Sequence, residues 1–191
     1  MQRRYFLGLG GGLAILTLPK VAMCDWLLPQ PRTPEPARFP RQHTVWTIEC
    51  RCTIFSGATI NVYHRGEPFI GYRGLAPDVG DIAGGLMAGR VTRVEMPPSW
   101  APTPNMRARN PQLRAFAPGE RGNPMGQVAK LEIAGFGFRR LHGYTDPRSG
   151  NTAGCVALDD NYLRDLVQRM RGASAFRHHL TASGTVIFYV E

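Results

Sequence analysis

The stretch LHGYTDPRSGNTAGCVAL, residues 141–158, decides how the rest of this chain is read. Strand-like alternation in QVAKLEIAGFGFRRLHG, residues 127–143, runs into it and delivers His142 near its end. A helix leaves it on the other side. Asp159 or Asp160 is placed to cap that helix, and Tyr162, Leu163, Leu166, Val167 and Met170 recur at helical spacing before Gly172 stops the pattern. Between the two lie Asp146-Pro147, Gly150 and Asn151, turn formers that let the chain fold back on itself. A cysteine attacks well only as a thiolate, so Cys155 needs a nearby base, and His142 is the candidate. Such a base must be held in one tautomer, and the carbonyl of Gly143 is the nearest group that could do so. Gly154 would let backbone N–H groups around Cys155 converge where an oxyanion forms. By themselves these residues leave two readings open: a nucleophile with its base, or a small buried thiol that follows a glycine.

Outward from this stretch the pattern is mostly β. TVWTIECRCTIF (44–55) and TINVYHRGEPFIGYRGLA (59–76) alternate polar and apolar residues around turn signals at Ser56-Gly57 and Arg65-Gly66. GRVTRVEMPP (89–98) is a further strand stopped by Pro97-Pro98, and TVIFYV (185–190) is a final, largely buried one. Residues 97–126, rich in proline, asparagine and glycine, predict a long ordered loop. The expected domain is a β-rich barrel or sandwich with one or two helices.

The chain has 191 residues, room for one ordinary domain plus a leader. Its first residues, MQRRYFLGLGGGLAILTLPKVAMCD, hold paired arginines, a weakly apolar glycine-rich run and a late Lys20. That pattern is similar to a twin-arginine export signal over residues 1–24, with an uncleaved signal anchor as the alternative. The GLGGG run has no strand before it and is no dinucleotide loop. VAMC is an imperfect lipoprotein box, so membrane contact is expected only through the signal or a lipidated Cys24, and the mature protein is expected in the periplasm or cell envelope. Residues 25–41 carry the prolines of a stiff, extended linker, and the folded domain is expected over 42–191. The formal charge is +9; without the three basic residues of the leader, +6 remains, carried almost wholly by arginine. A basic surface suits polyanions, including a carboxylate-bearing cell wall, but no arginine run with interleaved aromatics argues for nucleic acid. Cys50 and Cys52, two apart on one predicted strand, share a face; a disulfide there would be strained, and a lone C-x-C is a weak metal site. They are expected to be semi-buried strand residues, leaving Cys155 a free thiol.

The blocks around Cys155 resemble the L,D-transpeptidase (YkuD-type) catalytic domain. His142-Gly143 and Thr152-Ala153-Gly154-Cys155-Val156 fill its signature, PPSWAPTPNMRARNPQL (97–113) resembles its P-x-W…T-P-x-M segment, and PGERGNPMGQVAKLEI (118–133) its PGG…NPLG segment. The resemblance covers roughly 42–191 and implies a mainly β sandwich or barrel. It further implies an exported cysteine acyltransferase on peptidoglycan stem peptides that needs no metal or organic cofactor. In that scheme Cys155 is the nucleophile, His142 the base and acid, and Gly143 orients His142; the N–H groups of Ala153, Gly154 and Cys155 form the oxyanion hole. Tyr144, Thr145, Thr152, Trp100 and Arg140 are the expected substrate-binding residues, with Met106 a further candidate in the loop. The acceptor would be a second stem peptide, a protein amine, or, in the hydrolytic alternative, water; a non-catalytic wall-binding domain is the remaining alternative.

Two departures bear on substrate. Ala157 stands where the family has an arginine suited to a donor carboxylate, and the His142–Cys155 loop is shorter than usual. Arg139, Arg140 and Arg148 are the nearby cations that could replace the missing charge. His43, His64 and the pair His178-His179 lack ligand-like neighbours and are read as surface or packing residues. Cys155→Ser is expected to abolish turnover of cell-wall peptides while the domain stays folded, and Cys50→Ser to leave chemistry intact; activity assays run beside circular dichroism check both.

Overall fold

The computed structural model describes residue 32 and residues 44–53, 57–77, 87–134, 139–145, 152 and 154–190. The leader and almost all of the proline-rich linker lie outside these residues, as do His43, Arg148 and Ala153.

Eight strands are described: β1 (Trp46–Thr53), β2 (Gly57–His64), β3 (Glu67–Leu75), β4 (Met87–Glu95), β5 (Lys130–Ile133), β6 (Arg140–Tyr144), β7 (Val156–Asp159) and β8 (Gly184–Val190). They close into a barrel in the order β1-β2-β3-β7-β6-β5-β4-β8. Closure lets one side of each strand face a shared interior, with β3 and β7 joined only at Gly74–Leu158 and Leu75–Ala157. Most neighbours are antiparallel; β1 with β8 and β6 with β7 run parallel. A two-residue turn at Arg65 and Gly66 joins β2 to β3, as the alternation predicts.

Period-two alternation fills the interior. Ile48, Cys50 and Cys52 of β1, Ile60 and Val62 of β2, Ile70 and Tyr72 of β3, and Leu131, Leu141, Val156, Leu158 and Val186 all join one apolar cluster. The two early cysteines are therefore fully inside, 0% and 3% exposed rather than semi-buried, and both are free thiols. Burial pushes the Cys52 thiol up to about 12 and raises the Cys50 thiol well above its ordinary value, which removes both from nucleophilic chemistry near neutral pH.

Three helices are described, one more than the sequence pattern predicts. α1 (Pro104–Arg109) interrupts the segment expected as loop: Thr103 caps it by accepting from the Met106 N–H, and Pro104 starts it. It buries no residue, so it has no apolar stripe to betray it. α2 (Asp160–Arg169) is the predicted amphipathic helix, capped by Asp159, whose carboxylate accepts from the Asn161 N–H at 2.8 Å. α3 (Ala173–Ser183) follows almost at once, so His178 and His179 sit within a helix rather than after one. Its buried residues, Phe176 and Leu180, are only one i,i+4 pair, too sparse to read as a period. Both join Leu163, Leu166, Val167 and Met170 in the barrel's cluster. The expected single strand over 127–143 is instead the antiparallel pair β5 and β6.

Truncating Phe176, with no exposed surface, to alanine is expected to cost about 3–5 kcal/mol. Asp159→Ala, which removes only the cap of α2, should cost about 1 kcal/mol. Urea unfolding of the two variants would show whether α3 belongs to the core.

Candidate active site

Where the inner face of β4–β7 is apolar, the outer face is charged. Cross-strand register sets Glu95 beside Lys130, Arg93 beside Glu132, Glu132 beside Arg140, and Lys130 beside His142. A register shift between Val91 and Arg93 turns Val91 to the core and Arg93 to this outer face. Lys130 knots the patch together: its ammonium lies 2.7 Å from Glu95 and donates to the Ser99 carbonyl at 3.0 Å. Glu95 also accepts from the backbone N–H of Ser99 at 2.6 Å and from its hydroxyl. Burial pushes the Glu95 carboxyl up, but the hydrogen bonds from Lys130 and Ser99 outweigh it and hold the group at about 2. The knot thereby pins the start of the 97–126 segment over the outer face.

Under that segment lies a cleft of about 430 Å³, lined among others by Trp100, Phe116, Met125, Lys130, Glu132 and Arg140. Trp100 and Phe116 form one wall, bridged through their backbones with ring centroids 6.0 Å apart. Arg140 lies 3.8 Å from Glu132.

The parallel pair β6–β7 sets the strand that carries His142 beside the strand that directly follows Cys155. His142 sits opposite Ala157, so their side chains share a face. Both His142 and Cys155 are buried, at 4% and 7% exposure. His142 Nδ1 lies 2.7 Å from the Gly143 carbonyl oxygen. A carbonyl only accepts, so Nδ1 carries the proton and Nε2 is left with the free lone pair of a base. Burial, above all, pulls the imidazole down to about 4; the Gly143 contact opposes this, and Arg140 and Lys130 add to it. The ring is neutral near pH 7, the state a general base requires.

Ahead of Cys155, Thr152 organises the turn. Its N–H donates to the Ala76 carbonyl at 3.2 Å, and its hydroxyl donates to the Cys155 carbonyl. The Cys155 N–H donates to the Thr152 hydroxyl at 3.2 Å, and the Gly154 N–H to the Thr152 carbonyl at 3.0 Å. Gly154 has φ +84°, which a side chain would strain. Of the three expected oxyanion donors, two therefore point at Thr152 in this geometry, and the third, Ala153, lies outside the described residues. An entering oxyanion would compete with Thr152 for them.

The other expected site residues divide. Trp100 and Arg140 line the cleft. Tyr144 ends β6 half-buried, its hydroxyl pushed up to about 12 chiefly by burial, and Thr145 follows it exposed. Met106 lies on α1, half-buried. Arg139 points elsewhere, donating to the Met87 sulfur at 3.0 Å. His64 stacks on Trp46 at 4.4 Å, with His179 at 6.0 Å from the same indole, which are packing contacts. The Glu95–Lys130–Ser99 knot went unpredicted. Its signal is faint: Lys130 and Glu95 each stand at a polar position of a strand, far apart in sequence. The chain matches no protein-family model and no curated protein.

The imidazole's ordinary value is 6.5 and its folded value about 4, so between them the unfolded chain binds more protons than the folded one. Folding stability tied to His142 is then complete above pH 6.5, and about 3 kcal/mol of it is lost on acidification through the folded value. His142→Gln should flatten that slope, as urea titrations across the same window would reveal.

Proposed function

We propose that the chain is a cysteine acyltransferase of the L,D-transpeptidase type, acting on peptidoglycan stem peptides outside the cytoplasm. One observation carries the reading: a buried histidine, tethered through Nδ1 to its own neighbour's carbonyl, lies on the strand paired with the one that directly follows Cys155. The motif resemblance over residues 97–156 and the basic, cleft-bearing outer face add to it.

In this reading His142 Nε2 takes the thiol proton as Cys155 attacks the amide carbonyl that precedes a terminal D-residue. The carbon–nitrogen bond breaks, His142 returns the proton to the departing amine, and a thioester remains on Cys155. An acceptor amine then attacks the thioester, losing its proton to His142, and the thiol is restored. Trp100 and Arg140 would hold the donor in the cleft, with Tyr144, Thr145 and Thr152 at its edge. No metal or organic cofactor enters these steps. A stem peptide or a protein amine would serve as acceptor.

Hydrolysis is the second reading, and Ala157 favours it. This residue lies opposite His142, fully buried, where the family's arginine would otherwise offer a charge to the donor. With water as acceptor the same thioester would yield a shortened stem peptide or a released wall-bound protein.

Incubating purified protein with intact peptidoglycan and analysing the muropeptides separates these outcomes. New cross-links between diamino-acid residues, or exchange of a D-amino acid, are expected; shortened stems alone would favour hydrolysis, and unchanged muropeptides would sink both. His142→Ala should lower the rate by at least ~100-fold.

A further inference from the structure

Behind the histidine lies a buried carboxylate that none of the chemistry above uses. Asp160 opens α2, but Asp159 already caps that helix, so capping leaves Asp160 unexplained. It is 5% exposed. Its Oδ2 accepts from the Gln127 N–H at 2.8 Å. Its Oδ1 is buried without a hydrogen-bond partner. Buried polar atoms are so regularly paired that an orphan calls for a reason.

The surroundings of Oδ1 supply one. A Cβ built on Gly143 would collide with Oδ1 and stand 3.5 Å from Leu163, and one built on Gly126 would collide with Oδ1 as well. The Gly126 Cβ would also meet the backbone of Gly143 at 2.5 and 2.7 Å. Thus Hα atoms of two glycines point at one carboxylate oxygen, a weak C–H···O arrangement that needs both side chains absent. Gly126 holds φ +71°, bending the Asn123–Gln127 turn toward this contact. Three segments distant in sequence, the turn before β5, the centre of β6 and the start of α2, therefore close on a single side chain.

We propose that Asp160 is a positioning residue for the His142 base: wedged between Gly126 and Gly143 and anchored on the Gln127 N–H, its carboxylate fixes the Gly143 peptide, whose carbonyl holds the imidazole. This deepens the proposed function and rests on its reading of His142 as the base to Cys155. Asp160 touches neither substrate nor thiol. It acts through Gly143, and it explains why both glycines are needed where they stand. Burial raises its carboxyl above its ordinary value, a cost the fold carries here.

The test uses readouts that need no substrate. In the full mature chain, ¹⁵N-histidine spectra report which imidazole nitrogen carries the proton, and the iodoacetamide alkylation rate of Cys155 reports the thiol's activation. Asp160→Ala is expected to mix the His142 tautomers and slow alkylation by about 100-fold. Asp160→Asn, which keeps the shape and one acceptor, should recover most of the rate. Asp159→Ala, which loosens α2 without touching Gly143, should change neither readout. If Asp160→Ala does not fold, Asp160→Ser opens the same space while keeping an oxygen for the Gln127 N–H, and the same loss is expected. A single Nδ1–H tautomer and unchanged alkylation in the folded Ala or Ser variant would overturn the proposal, as would equal losses in Asp159→Ala. Failure of the muropeptide assay with these readouts as expected would count against the cell-wall substrate and leave Asp160 standing.

Discussion

The parallel pairing of β6 with β7 is the constraint on which the site depends. Antiparallel neighbours need only a tight turn, whereas parallel ones oblige the chain to travel back along the barrel before re-entering it. Near the point of re-entry Thr152 docks against Ala76 through its N–H. The register faces His142 with Ala157, two residues after Cys155. Had the chain turned tightly after Tyr144, the strand that follows Cys155 would run antiparallel, and the residues ahead of it would emerge at the opposite end of β6.

Around that register the electrostatics keep the His142 imidazole neutral. Two cations, Lys130 and Arg140, flank His142 on neighbouring strand positions, and burial works in the same direction. Isolated cations so placed would be costly to desolvate; Glu95 and Glu132 share the patch and offset that cost. One side chain thereby serves two ends. Lys130 biases the imidazole and, through Glu95 and Ser99, ties down the segment that roofs the cleft.

The legible parts of the fold were those with a period. Alternation in β1, β2, β3 and β8 and the stripe of α2 are direct consequences of which faces must be buried. α1 has no buried face and α3 only two buried residues, so neither presented a pattern. Within 127–143 the alternation persists across the change of direction, which hid a hairpin-like pair inside one apparent strand. In the candidate site, His142, Gly143 and Cys155 stood out because few residue types can serve as nucleophile, base and tether. Glu95, Lys130 and Asp160 were not, because a charged residue on a strand or at a helix start is ordinarily solvated.

By itself the sequence determined the β-rich class, the amphipathic helix after Cys155, and the pairing of one histidine with one cysteine as the chemistry worth seeking. Those follow from local periodicity and from the reactivity of particular side chains, which need no knowledge of distant neighbours. Barrel closure, the parallel register, the neutral state of His142 and the burial of Asp160 between two glycines were decided only in three dimensions. Each depends on which segments remote along the chain exclude water from a given atom, and desolvation is a property of the packed neighbourhood.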